Sequence, residues 1–110
     1  MKIVDRKTFL SLPKNTLFSV FESYSFGPLN IKGDSLSNDY FYQEIHDSID
    51  VKNSDEFIST LSSAKEKGTS VRMDFNCEGR DGCYEDDAFY AVWERQDVEE
   101  LITRLQKCIE

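Results

Sequence analysis

The segment from Asp74 to Glu85 comes closer than any other part of the chain to a metal-binding motif. Asp74, Asn76, Glu78 and Gly79, followed after five residues by Glu85, match the calcium-loop pattern D-x-[DN]-x-[DN]-G-x5-E except at its fifth position. Ca²⁺ takes about six to eight oxygen ligands, and the glycine permits the sharp turn that such a loop needs. The spacing therefore makes a calcium loop one hypothesis for this segment.

Three features of the same segment favour an acidic hairpin loop instead. Glu78 is longer than the Asp or Asn of the template, and Asp81 adds a charge outside the usual ligand positions. A calcium loop follows a helix, whereas the residues that precede this loop alternate as a strand does. We therefore expect a polar loop over residues 77–86, with Gly79 and Gly82 at special backbone angles.

The three cysteines and the single histidine offer other chemistry. Cys77 and Cys83 flank one loop and could form a disulfide or redox pair. Together with Cys108 and His46 they could bind zinc, but no C-x2-C spacing supports this, and nothing places a Cys–His pair in an activating context. We expect His46 to be a surface or structural residue and Cys108 to be a core residue. An odd cysteine count without a visible signal peptide indicates a reducing, cytoplasmic setting.

The net charge of −8 is concentrated in one segment of the 110-residue chain. Residues 74–100 hold ten acids and two bases, and the other 83 residues are neutral. The ten acids are Asp74, Glu78, Asp81, Glu85, Asp86, Asp87, Glu94, Asp97, Glu99 and Glu100. One interpretation is a solvated face plus a helix N-terminus, which favours carboxylates. The other is a negative patch that steers a basic partner protein onto this surface.

An aromatic residue accompanies these acids. Tyr84 lies within the acidic loop, and tyrosines at the rim of a surface are favoured interface anchors. No phosphate-binding glycine loop, G-x-S-x-G or H-E-x-x-H motif is present, so we expect neither an enzyme nor a cofactor or metal. The predicted partner-binding residues are Asp74, Glu78, Asp81, Tyr84, Glu85, Asp86 and Asp87.

Length and composition exclude several classes of protein. A chain of 110 residues predicts a single domain over residues 1–110, and 39% hydrophobic residues suffice for a core. The acidic balance argues against direct binding of nucleic acid, since such proteins carry basic patches. No run approaches the ~20 apolar residues of a membrane span, so we expect no membrane association.

Local signals predict the elements that must position the acidic residues. Asp5 can cap a helix over residues 6–12 that Pro13 stops, and Asn53 or Ser54 can cap a second helix that ends at Gly68. A third helix shows apolar residues at helical spacing from Val98 to Ile109. Strands are predicted at residues 16–22, at 29–31 before Gly33, at 39–46, at 71–75 and, as a central strand, at 88–93.

The resulting order is α-β-β-β-α-β-β-α. This order predicts an α+β fold, with a mostly antiparallel five-stranded sheet and helices packed on one face.

Several phrases of the sequence resemble small uncharacterised phage and prophage accessory proteins. They include Ile31-Lys32-Gly33-Asp34, Asn38-Asp39-Tyr40-Phe41-Tyr42-Gln43, Gly79-Arg80-Asp81-Gly82 and Val92-Trp93-Glu94. The resemblance carries no activity to any particular residue. It implies an accessory factor that binds and inhibits a host protein, and some such factors mimic the charge of DNA.

The leading prediction is therefore a small acidic, non-enzymatic protein-binding module. In this interpretation the carboxylates stand in for phosphates and occupy the basic surface of a host defence or nucleic-acid-binding protein. Three alternatives stay open: an immunity protein against a basic toxin, a metal-dependent domain or small enzyme that uses the Asp74–Glu85 loop, and a structural or assembly component.

Overall fold

The computed structural model describes residues 1–45, 48–76 and 78–110. The chain forms an α+β fold in which every described strand pairing is antiparallel. The described strands are β1 (Lys2–Asp5), β2 (Leu17–Glu22), β3 (Ser25–Phe26), β4 (Asn30–Leu36), β5 (Asp39–Glu44), β6 (Ser48–Ile49), β7 (Met73–Asp74), β8 (Gly79–Arg80) and β9 (Phe89–Val92). The described helices are α1 (Arg6–Ser11), α2 (Ser54–Lys67) and α3 (Arg95–Gln106), followed by a 3-10 turn (Lys107–Ile109).

The main sheet has the order β1-β9-β2-β4-β5-β8, and β3 adds to β2 as a short hairpin partner. Strand β9 pairs on one side with β1 and on the other with β2, so Tyr90 lies between Val4 and Val20. The prediction of a central strand at residues 88–93 is confirmed, because an inner strand buries side chains on both faces. Tyr90 and Ala91, which point to opposite faces, are both buried.

Helix α1 closes the core over one face of this sheet. Asp5 caps the helix as predicted, since its carboxylate accepts a hydrogen bond of 2.9 Å from the backbone N–H of Thr8. Phe9 then packs into an aromatic cluster, stacked on Tyr90 with ring centroids 4.0 Å apart and tilted against Phe18 at 4.6 Å. Such ring pairs are favourable beyond the area that they bury.

The other two helices do not cover the sheet as predicted. Helix α2 is capped by Asn53, whose side chain accepts the N–H of Glu56 at 2.8 Å, and it ends at Gly68 with φ of 69°. Neither α2 nor α3 contains a buried residue. The prediction that helices pack on one face is therefore correct for α1 alone.

The predicted strand count and order also need correction. The main sheet has seven strands rather than five, and β1, β3 and β8 had no separate prediction. The strand predicted at residues 71–75 shortens to β7, which pairs with β6 in a separate two-stranded sheet. Strand β4 continues through Gly33 by means of an irregular register between Lys32 and Ser35.

Two further predictions concern glycine and the membrane. Gly82 adopts a left-handed backbone with φ of 66°, as expected, whereas Gly79 does not and instead lies in β8. Among the described helices, none combines the length and the apolar character that a bilayer span requires.

Candidate functional site

The predicted acidic residues fall into separate places rather than one patch. Asp74 lies in β7, where its carboxylate accepts a hydrogen bond of 2.8 Å from the backbone N–H of Asn76. Glu78 lies over β4, with a carboxylate oxygen 3.1 Å from the position that a Cβ on Gly33 would take. Asp74 therefore belongs to the two-stranded sheet, whereas Glu78 lies beside the main sheet.

Asp81 is a structural residue, tied to a buried arginine. One carboxylate oxygen lies 3.5 Å from a guanidinium nitrogen of Arg6, and the other accepts the hydroxyl of Tyr40 at 3.3 Å. Arg6 is only 3% exposed, and it donates a hydrogen bond of 2.8 Å to the hydroxyl of Tyr90. Burial would lower the pKa of Arg6, but Tyr90 and Asp81 outweigh it and raise the pKa.

Asp39 extends this buried polar cluster. Its carboxylate accepts backbone N–H groups from Tyr40 at 2.9 Å and Gly82 at 3.0 Å, and it faces Arg80 at 3.1 Å. Burial would raise the pKa of Asp39, but these two hydrogen bonds and the charge of Arg80 hold it below its usual range. Burial also raises the pKa of the Tyr40 and Tyr90 hydroxyls.

The three consecutive acids Glu85, Asp86 and Asp87 do come together, and they line a cavity of about 340 Å³. A fourth acid, Glu22, joins them from the end of β2. The remaining lining is supplied by Val20, Phe21, Ala88 and Phe89. We call this set of eight residues the acidic cavity.

The sheet register explains why the cavity has both acidic and apolar walls. Phe21 of β2 lies opposite Phe89 of β9, so the two rings share one face of the sheet. The turn that leads into β9 is closed by a hydrogen bond of 3.1 Å from the N–H of Ala88 to the carbonyl of Glu85. This turn places its three carboxylates beside the end of β2, while Phe89 remains 48% exposed.

Two exposed tyrosines lie within two positions of cavity residues in the sequence. Tyr84 precedes Glu85, has φ of 54° and is 50% exposed. Tyr24 is 93% exposed in the two-residue turn that follows Glu22, where Ser23 and Tyr24 both have positive φ, as a type I′ hairpin requires. The ring of Tyr24 leans on Phe21, with centroids 6.1 Å apart.

The cavity carboxylates have no partner within the described part of the chain. No hydrogen bond or ion pair joins the side chains of Glu22, Glu85, Asp86 or Asp87 to another described residue, whereas most of the later acids are engaged. Glu94 and Asp97 contact the amino group of Met1, and Glu99 pairs with Arg95 at 2.7 Å. The cavity therefore concentrates uncompensated negative charge beside exposed apolar surface.

The described residues contain neither a metal-binding cluster nor a cysteine pair. No group of three or more His, Cys, Asp or Glu side chains among residues 1–45, 48–76 and 78–110 is placed to hold a metal ion. Cys108 is exposed, so the expectation that it is a core residue is wrong. Cys83 is also exposed. The pairings predicted for His46 and Cys77 lie outside the described residues.

Sequence reasoning identified Glu85, Asp86 and Asp87 but missed Glu22. The charge count assigned Glu22 to the neutral remainder of the chain, and its only local signal is its position at a strand end. Comparison of the chain with protein-family models, curated proteins and solved structures gives no match.

The acidic cavity is suited chemically to binding a cation with an apolar stem. Lysine and arginine bury their methylene chains along apolar surface while keeping the charged group at the rim. A guanidinium can also stack on an exposed phenylalanine ring, and it is attracted by the face of that ring. Phe89 offers such a ring beside the four carboxylates, and the half-buried Phe21 lies next to it.

Proposed function

We propose that the protein is a small, non-enzymatic binding module that receives a basic side chain of a partner protein in the acidic cavity. The observation that carries this proposal is the set of four carboxylates, with no side-chain partner among the described residues, around an apolar-lined space of about 340 Å³. A lysine or arginine of the partner enters the cavity, and Tyr24 and Tyr84 supply aromatic contact at its edge. Of the predicted partner-binding residues, this proposal keeps Tyr84, Glu85, Asp86 and Asp87.

The energetics require both parts of the cavity. An exposed ion pair contributes only about 0–1 kcal/mol, so four carboxylates alone give weak and salt-sensitive binding. Removing the stem of the basic side chain from water adds about 25 cal/mol for each Å² of apolar surface that is buried. Charge therefore steers the partner towards the site, and the phenylalanines hold it there.

The wider setting predicted from the sequence is consistent with this site. An accessory protein of phage type that inhibits a host defence or nucleic-acid-binding protein would meet a basic surface, which is the chemistry that the cavity accepts. We propose such a host protein as the partner. A toxin with a basic surface would be recognised in the same way, and the identity of the bound protein separates the two cases.

The test is capture of the partner with and without the cavity charges. The full chain is immobilised, host lysate is passed over it at low and at high salt, and bound proteins are identified by mass spectrometry. The triple variant Glu85→Gln/Asp86→Asn/Asp87→Asn should lose the low-salt partner, and with purified partner its association rate should fall at least tenfold.

A matched control removes the same three charges elsewhere. Asp55→Asn/Glu66→Gln/Glu110→Gln reduces the net negative charge by the same amount but leaves the cavity intact, so it should bind as the native chain does. Equal loss of binding in both triple variants would show that net charge alone acts. Unchanged binding in the cavity variant would refute the proposal.

A further inference from the structure

Helix α3 presents an apolar stripe that nothing in the described chain covers. Ile102, Leu105 and Ile109 are 58%, 56% and 78% exposed, and they share one face with the half-buried Val98 and Leu101. A helix of 12 residues is only marginally stable in water without a packing partner. The stripe therefore has the character of an interface rather than of a solvated surface.

The surface area of the whole chain leaves room for such an interface. The protein exposes 8260 Å², whereas a compact monomer of its mass of 12.8 kDa exposes about 6,300 Å². Its radius of gyration is 16.3 Å, against about 13 Å for a compact chain of this length. The excess of roughly 2,000 Å² is larger than the ~800 Å² that each partner buries in a standard interface.

The charge pattern of α3 is complementary to that of a second α3 helix that runs in the opposite direction. Residues 95–100 carry three acids and one base, and residues 101–107 carry two bases and no acid. An antiparallel pair of these helices sets the acidic half of one against the basic half of the other, and it also opposes their macrodipoles. A parallel pair would set like charges together.

We propose that α3 docks antiparallel on α3 of a second copy of this chain, around a twofold axis. Each copy contributes the same stripe, from Val98 to Ile109, so the contact is self-complementary and closes at two subunits. The interface contains none of the eight residues of the acidic cavity. A dimer therefore carries two cavities, and this inference does not depend on the proposed function of the cavity.

The mass of the full chain in solution tests this proposal. Size-exclusion chromatography with light scattering should give twice 12.8 kDa for the native chain at high micromolar concentration, with dissociation on dilution. Ile102→Glu/Leu105→Glu should give a monomer. Thr103→Ala/Gln106→Ala alters the polar side of the same helix without changing its charges and should remain dimeric. A monomeric native chain, or equal loss in both variants, would overturn the proposal.

Two further measurements keep the result distinct from misfolding and from general adhesion. Ile102 and Leu105 lie outside the aromatic core, so their glutamate variant should retain the native near-ultraviolet circular dichroism spectrum of that core and unfold cooperatively. Ile58→Glu/Leu61→Glu alters the exposed apolar residues of α2 and should leave the dimer intact. If the α2 variant is monomeric while the α3 variant remains dimeric, the interface lies on α2 and the proposal is overturned.

Disulfide cross-linking tests the orientation of the pair. In a Cys77→Ser/Cys83→Ser background, antiparallel pairing of a stripe that runs from Val98 to Ile109 brings position 98 of one copy near Cys108 of the other. The Val98→Cys variant should therefore form a covalent dimer through these two positions on mild oxidation, whereas the background should not cross-link. A Cys108–Cys108 dimer in the background would instead show parallel pairing and overturn the antiparallel arrangement.

Discussion

At the scale of single residues, neighbouring acids in this chain have opposite roles. Asp81 and Asp86 are five positions apart and have the same side chain, yet Asp81 compensates the buried Arg6 and Asp86 lines an open cavity. A buried charge that loses its partner is costly, whereas a surface carboxylate is replaced at little cost. The acids that hold the fold together can therefore be distinguished experimentally from those available to a partner.

This distinction predicts a difference in stability between two identical substitutions. Asp81→Asn should lower the free energy of unfolding by about 2 kcal/mol, because Arg6 stays buried with its charge uncompensated. Asp86→Asn should change it by less than about 0.5 kcal/mol. Urea unfolding at neutral pH measures both, and equal values would contradict the structural role of Asp81. The double variant Arg6→Met/Asp81→Leu should lose less than Asp81→Asn does.

The lowered pKa of Asp39 predicts an acid-sensitive fold. Its folded pKa lies below its unfolded value of about 4, so its contribution to stability is complete above that value. The contribution is lost as the pH falls from the unfolded pKa through the folded pKa, because in that window the unfolded chain binds more protons than the folded chain does. As the pH is lowered from 6, the free energy of unfolding should fall more steeply for the native chain than for Asp39→Asn. Parallel curves would contradict this.

At the scale of elements, the shortest helix contributes most to the core. Helix α1 has six residues and buries Phe9 completely, whereas α2 has fourteen residues and buries none. Length and regular periodicity therefore do not rank the helices of this protein by their contribution to stability. What matters is whether the apolar side chains meet the sheet.

Truncation of one side chain in each helix tests this ranking. Phe9→Ala should lower the free energy of unfolding by about 4 kcal/mol, because it leaves a cavity among Phe18, Tyr40 and Tyr90. Ile58→Ala, on the exposed face of α2, should change it by about 0.5 kcal/mol or less. Thermal unfolding monitored by near-ultraviolet circular dichroism gives both values. Comparable losses would show that α2 packs more closely than the structure indicates.

Prediction from the sequence succeeded where the determining contacts are local. Asp5, Asn53 and Gly68 act within a few residues of themselves, and the helix ends that they mark are correct. Strand β1 was missed because its four residues, of which the first and last are charged, give no periodic signal. The strand exists through its pairing with β9. The periodicity of α3 is real, but periodicity does not reveal what, if anything, covers the apolar face.

The same limit explains the outcome for the candidate site. Glu85, Asp86 and Asp87 are adjacent in sequence, so a charge count could find them. Glu22 reaches the cavity through the pairing of β2 with β9, and Asp81 leaves the predicted set because Arg6 approaches it from the other end of the chain. Both corrections depend on contacts between distant segments, which local patterns do not encode.

At the scale of the whole molecule, the acidic cavity and the apolar stripe of α3 lie in different regions. The acidic cavity lies where β2 and β9 meet, and the apolar stripe lies on α3, outside the sheet. A protein organised in this way can bind a charged partner and a second copy of itself by different means. High salt should weaken the first association more than the second, because burial of apolar surface is not screened by ions.

The position of β9 also affects the order in which the parts of the sheet can fold during synthesis. This strand is the last of the described strands in the chain, yet it is the only described neighbour of β1 and it separates β1 from β2. When the first 80 residues have been synthesised, β1 therefore lacks its described pairing partner, and the aromatic cluster lacks Tyr90. Completion of the sheet has to wait for residues 89–92, and the pairing of β1 with β9 closes a long span of chain, which slows that step.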